Sequence, residues 1–126
     1  MKTRKILVID DEETILNAVS KTLTNAGFKV LVASSLEEAS EIIQNEKLDL
    51  IISDVMLPHL GGIELVDRIK EDPDKNHIPV LIMTGMEKDI LQMTVSHADA
   101  ILSKPFTSEQ LLTEVRKHIG AKSRVL

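Results

Sequence analysis

Four short apolar runs punctuate the chain, at Ile6-Leu7-Val8-Ile9, Val30-Leu31-Val32, Leu50-Ile51-Ile52 and Val80-Leu81-Ile82-Met83, and none of them alternates with polar residues. Uninterrupted runs of this length read as strands covered on both faces, the condition of strands inside a parallel sheet. A weaker fifth run, Ala100-Ile101-Leu102, precedes Lys104-Pro105. The intervals between the runs have helical period instead. Ile15, Leu16, Val19, Leu23 and Ala26 share one side of a segment that stops at Gly27, a residue suited to a left-handed cap. Ser35-Leu36-Glu37-Glu38 is a capping-box pattern ahead of Ala39, Ile42 and Ile43. A third segment carries Ile63, Val66 and Ile69 and ends before Pro73, and a fourth, within Glu87 to Ser96, is the least clearly patterned. The last opens on Thr107-Ser108-Glu109-Gln110 and carries Leu111, Leu112, Val115 and Ile119 toward Gly120. Strand and helix thus alternate five times, which calls for a doubly wound parallel sheet with helices on both faces. In such a sheet the working crevice lies beyond the carboxyl ends of the strands, so polar residues just after the apolar runs are the candidates for function.

Composition narrows what those residues can do. A chain of 126 residues, 43% hydrophobic and 28% charged, is enough for one domain with a genuine core. Its 20 acidic against 15 basic residues give a net charge of −5, and it has two Phe with no Tyr or Trp. A direct nucleic-acid binder needs a basic stripe and, for single strands, stacking rings, so that class is set aside. The absence of cysteine removes disulfides, thiolate metal sites and thiol nucleophiles. No stretch approaches the roughly 20 apolar residues of a membrane helix. The basic start Met1-Lys2-Thr3-Arg4-Lys5 is followed by only four apolar residues before acids begin, too few for a signal peptide. A cytoplasmic location without membrane association is the expectation.

At the strand ends stand Asp10-Asp11-Glu12-Glu13, Ser53-Asp54, Thr84-Gly85 and Ser103-Lys104-Pro105-Phe106. Singly, each has a plain structural role: an acid ahead of a helix caps it or meets its dipole, and a lone lysine is solvated surface. Together they bring three aspartates, a hydroxyl and a lysine to one edge. Carboxylates so gathered repel one another unless a cation is present, and an oxygen-seeking divalent ion such as Mg²⁺, with Lys104 helping to balance charge, resolves that repulsion. The chemistry this suits is phosphoryl transfer to a carboxylate nucleophile, with Thr84 able to donate to a phosphoryl oxygen. Residue type and strand position leave open which aspartate is attacked.

Asp10-Asp11 after the first strand, Asp54-Val55-Met56-Leu57-Pro58-His59-Leu60-Gly61-Gly62 after the third, Thr84-Gly85 after the fourth and Lys104-Pro105-Phe106 after the fifth resemble the receiver domain of two-component response regulators, the CheY-like members of the flavodoxin-like folds. The resemblance runs from about Arg4 to Ile119. It implies a five-stranded sheet ordered 2-1-3-4-5 and a receiver domain over 4–120, with 121–126 a tail or the start of a linker. It also implies that Asp54 accepts a phosphoryl group from a phosphohistidine of a sensor histidine kinase or a histidine phosphotransfer protein. Asp11 and Asp54 would ligate Mg²⁺ directly, with the Met56 carbonyl as a third ligand and Asp10 acting through metal-bound water. Lys104 would pair with Asp54 and then with its phosphate, and Thr84 would report phosphorylation toward a partner-binding face. A cis Lys104-Pro105 bond, a loop shaped by Pro58 and Gly62, and a Gly85 that keeps the site open complete the implied set. Such a domain signals rather than turning over a substrate, and it acts through a downstream effector or a fused output domain.

Some positions depart from the family pattern. Ile101 stands where the switch aromatic usually does, and an isoleucine neither hydrogen-bonds nor swings a ring inward with Thr84. The interval from Thr84 to Lys104 is short, which predicts a trimmed or irregular fourth helix. Asp99 and Arg116 remain of the charge pattern used in dimerising members, but Ala100 breaks the acidic pair. Met56 and Met86 hold the positions that tune phosphoryl loss, and thioethers cannot orient water, so slow self-dephosphorylation is expected; gap-filling methionines are the plain alternative. His59, His77, His97 and His118 are dispersed and read as solvated or structural, His97 as an exposed loop residue. Two other classes compete. A phosphatase of the haloacid dehalogenase type requires Asp-x-Asp, whereas Glu12 follows Asp10 by two. A pseudo-receiver, a pure interaction module, is favoured by Ile101 and disfavoured by the intact Asp10, Asp11, Asp54, Thr84 and Lys104.

Overall fold

A computed structural model describes residues 3–55, 61–85 and 97–119. Five parallel strands, β1 (Lys5–Ile9), β2 (Lys29–Ala33), β3 (Leu50–Asp54), β4 (Val80–Thr84) and β5 (Ala100–Ser103), form one sheet in the order β2-β1-β3-β4-β5. Among the described residues four helices cover it: α1 (Glu13–Asn25), α2 (Leu36–Asn45), α3 (Gly61–Glu71) and α4 (Ser108–Ile119). Strand order reverses between β1 and β3, which fixes the crevice at their carboxyl ends. The expected helix within 87–96 lies outside the described residues.

The uninterrupted runs are explained by two cores, one on each side of the sheet. Leu7 and Ile9 of β1, Ile51 of β3 and Val80 and Ile82 of β4 face α2 and α3, where Ala39, Ile43, Leu65, Val66 and Ile69 meet them. Their neighbours Ile6, Val8, Leu50, Ile52, Leu81 and Met83 face α1 and α4, against Leu16, Val19, Leu23, Leu111, Val115 and Ile119. Side chains alternate across a strand, so a strand with a core on both faces must be apolar at every step.

β2 takes the edge position that the order 2-1-3-4-5 implies, but it is less covered than its apolar run suggests. It is an edge strand whose only described neighbour is β1, and Val32 is 48% exposed. Three apolar residues in a row read alike at an edge and at a centre, because what differs is the partner strand.

Helix ends follow local chemistry. The Gly27 N–H donates to the Thr24 carbonyl and the Phe28 N–H to the Leu23 carbonyl, while Leu23 and Phe28 lie in the same core. This is a Schellman closure with its apolar contact, and Gly27 adopts the φ of 99° that it requires. Gly27→Ala should therefore lower stability by about 1 kcal/mol in urea unfolding, from backbone strain alone, since a Cβ there meets no described atom within 4 Å. Ser35 Oγ accepts from Glu38 N at 3.2 Å, but the Glu38 carboxylate reaches back to Ser34 N and Oγ, one residue earlier than a simple capping box. Those bonds hold the Glu38 carboxyl below the usual value, the Ser34 hydroxyl contributing most. At α4 the box is reciprocal, Gln110 N to Thr107 Oγ1 at 3.0 Å and Thr107 N to Gln110 Oε1 at 2.9 Å.

Long-range polar ties secure the far end of the sheet. Asp99 Oδ2 accepts from Lys70 Nζ at 2.8 Å and from Val80 N at 2.7 Å, so this acid is committed within the chain. His97 is exposed, as its sequence context suggests, yet its Nδ1 lies 3.0 Å from Asp67 Oδ1 of α3.

Candidate functional site

Each candidate side chain sits at the end of a strand, held by the backbone ladder as it runs out. Asp10 follows β1, and its N–H donates to Ala33 O at 3.2 Å. Asp54 is the last residue of β3, and the next N–H, of Val55, donates to Met83 O at 3.0 Å. Thr84 ends β4 opposite Ser103, one step beyond Met83, the residue paired with Asp54. Lys104 follows β5 and donates its N–H to Thr84 O at 2.7 Å. Its peptide bond to Pro105 is cis.

The burial of the three aspartates is graded. Asp10 is wholly enclosed, Asp54 is buried and Asp11 is exposed, yet each offers an oxygen within 4.8 Å of the others. Asp10 uses both carboxylate oxygens: Oδ1 accepts from Glu12 N at 2.9 Å and Oδ2 from Lys104 Nζ at 3.0 Å. Lys104 Nζ also lies 3.3 Å from Asp54 Oδ1 and 3.9 Å from Glu12 Oε1. The lysine therefore donates to both buried acids, slightly nearer Asp10 than Asp54. Burial pushes the Lys104 ammonium toward neutrality, but the Asp10 hydrogen bond and the charges of Asp54 and Asp10 more than offset it, so its pKa is raised above the ordinary 10.5.

Because that pKa is raised in the folded state, the stabilisation it reflects is complete below pH 10.5 and is lost as pH rises through the folded value. Lys104→Met removes the partner of a buried carboxylate and should cost about 3 kcal/mol at neutral pH. Urea unfolding of the two proteins should differ across the neutral range and converge only in strong alkali.

Gly62 of α3 packs against the peptide behind Asp54. A Cβ at this position would run into the Asp54 carbonyl oxygen and lie 2.8 Å from Val55 Cα. Gly85 is different, since a Cβ there meets no described atom within 4 Å and the backbone position imposes no such constraint. Ile101 is half-buried against the α3-side core. Met56, Pro58, His59 and Met86 lie outside the described residues. Glu12, to which the sequence assigned no role, enters through its N–H on Asp10 and its carboxylate near Lys104; the signal was its place in the run of four acids.

Three clustered carboxylates form a hard-oxygen donor set that fits a divalent cation of the Mg²⁺ type. An acidic cleft lies at the switch point of a β2-β1-β3-β4-β5 sheet of the flavodoxin-like class, with a lysine reaching in from the last strand. The family model for the response regulator receiver domain matches residues 6–116, and the chain belongs to that family.

It is 36% identical over 116 residues to the alkaline phosphatase synthesis transcriptional regulatory protein PhoP of Bacillus subtilis (strain 168), covering 90% of this chain and 47% of that protein. The chain spans about half the length of the curated relatives it matches. Its fold superposes on the chemotaxis response regulator CheY4 of Vibrio cholerae with a TM-score of 0.86 at 31% identity, over 92% of this chain and 98% of that one. The receiver domain of the sensor histidine kinase PA1611 from Pseudomonas aeruginosa PAO1, solved with a magnesium ion coordinated in the active site cleft, shares the fold. It has a TM-score of 0.85 at 20% identity, over 95% of this chain and all of that one. Among the described residues no helix is long and apolar enough to cross a membrane.

Proposed function

We propose that this receiver domain, extending over residues 4–120, is the phosphoacceptor of a two-component phosphorelay, with Asp54 as the residue modified. The observation that carries this reading is the Asp54 carboxylate, buried at the switch point with Asp10 and Asp11 beside it and Lys104 Nζ at 3.3 Å. An Asp54 oxygen attacks phosphorus, the P–N bond of a phosphohistidine on a sensor histidine kinase or histidine phosphotransfer protein breaks, and its electron pair returns to the imidazole nitrogen. Lys104, bonded also to Asp10, is placed to exchange its hydrogen bond with Asp54 for one to the new phosphoryl oxygens. Thr84 at the neighbouring strand end supplies a hydroxyl donor. Asp10, Asp11 and Asp54, with the Met56 carbonyl by family likeness, would hold a Mg²⁺ ion that supplies positive charge against the transferring group.

Slow loss of the phosphoryl group, argued from Met56 and Met86, belongs to the same proposal, as does a cytoplasmic setting. So does action through an effector or fused output domain, without direct nucleic-acid contact by this domain.

Beryllofluoride with Mg²⁺ tests the reading, because it mimics a phosphoryl group on a carboxylate. Saturable shifts of the Asp54, Thr84 and Lys104 amides in ¹⁵N-resolved spectra are expected. If those amides do not respond, the domain is an interaction module without the switch.

A further inference from the structure

Beside the aspartate cleft, and sharing Asp11 with it, a groove of about 460 Å³ runs between the start of α1 and the junction of β2 with α2. Its lining is of three kinds, with Asn17 and Ser34 as the uncharged polar members. Val32, Ala33 and Leu16 are its apolar members and Asp11, Glu13 and Glu38 its acidic ones; no Lys, Arg or His lines it among the described residues. Val32 is the large apolar side chain left exposed among the described residues, and it lies in this groove.

We propose that this groove is a docking surface for an arginine-bearing segment of a partner protein. Charge complementarity requires a cation, and size and the apolar lining decide which kind. The groove is far larger than a bare ion fills, and an ion makes no use of Val32. An arginine satisfies the apolar and acidic parts of the lining, with its aliphatic stem over the apolar residues and its planar fork among carboxylates on two elements. One of those carboxylates is already held in place. Both hydrogen bonds from Ser34 fall on Glu38 Oε1, which fixes the group and keeps it ionised while Oε2 has no partner among the described residues. A carboxylate restrained before binding loses less freedom when the partner arrives. An apolar residue on either side of the arginine would complete the cover of Val32.

The test uses ¹⁵N-labelled protein and the peptide acetyl-Leu-Arg-Leu-amide, in buffer with chelator, so that the result is independent of cation binding in the aspartate cleft. Saturable shifts confined to the amides of Glu13, Asn17, Val32, Ser34 and Glu38 are expected. The citrulline peptide, equal in shape but uncharged, should bind about tenfold more weakly. Glu13→Gln should weaken the arginine peptide roughly twofold to fivefold, as for an exposed ion pair, and Val32→Ser by about threefold. Both positions are exposed, and circular dichroism checks that the variants fold. The proposal is overturned by equal binding of the citrulline peptide, by shifts located elsewhere, or by variants that bind like wild type. It is equally overturned if Mg²⁺ without peptide shifts Glu13 and Glu38 while the peptide does not. Concentration-dependent shifts there in the protein alone would assign the groove to a second copy and also overturn it.

Discussion

Asp54→Asn should reduce labelling by acetyl phosphate in Mg²⁺ buffer to background, as read by intact-protein mass, while leaving the fold in place. The substitution keeps shape and an oxygen acceptor for Lys104, now 3.3 Å from Asp54 Oδ1, and removes only the charged nucleophile. Asp10→Asn leaves that nucleophile intact, so its label should persist at a lower rate. The reverse pattern, with label lost in Asp10→Asn and kept in Asp54→Asn, would place the nucleophile after the first strand and fit the phosphatase chemistry instead. In wild type, the label should decay over times much longer than minutes once acetyl phosphate is removed; loss within seconds would contradict the role assigned to Met56 and Met86.

The other large effect lies in the backbone. Gly62→Ala should cost about 3 kcal/mol in urea unfolding, the upper range for an added methyl that cannot be accommodated. The atoms in its way belong to the main chain, the Asp54 carbonyl oxygen and Val55 Cα at 2.8 Å, and neither can move aside by a side-chain rotation. Relief requires α3 to lift from the end of β3, which carries Asp54. Acetyl-phosphate labelling should therefore fall together with stability. A variant as stable as wild type would mean that α3 has slack against β3.

These effects draw unequally on what the sequence discloses. The runs at Ile6, Leu50 and Val80 disclose strands because a residue with a core on either side has no polar option, and β1, β3 and β4 meet that condition along nearly their whole length. Val30-Leu31-Val32 follows the same pattern without the cover, since its edge position depends on strand order. Asp10, Asp11, Asp54, Thr84 and Lys104 are legible as a group because strand ends converge in a parallel sheet. Which acid Lys104 sits nearer is a matter of tenths of an ångström across 94 and 50 residues of separation, and local pattern carries nothing of that kind. The same holds for Lys70 with Asp99 and for His97 with Asp67, joined across 29 and 30 residues. Gly62 was legible as a loop-shaping residue, whereas its contact with the Asp54 peptide needed the packing of α3 on β3.

The Lys104 ammonium, bonded to Asp10 and Asp54, also enters the charge balance of the cleft. With that ammonium seated, the aspartate trio and the lysine carry a net of two negative charges. One divalent ion would bring this to neutrality, and a monovalent ion would leave a surplus. An incoming dianionic phosphoryl group would then meet a less acidic surface, with the exposed Glu12 carboxylate 3.9 Å from the lysine as the remaining negative charge at the rim.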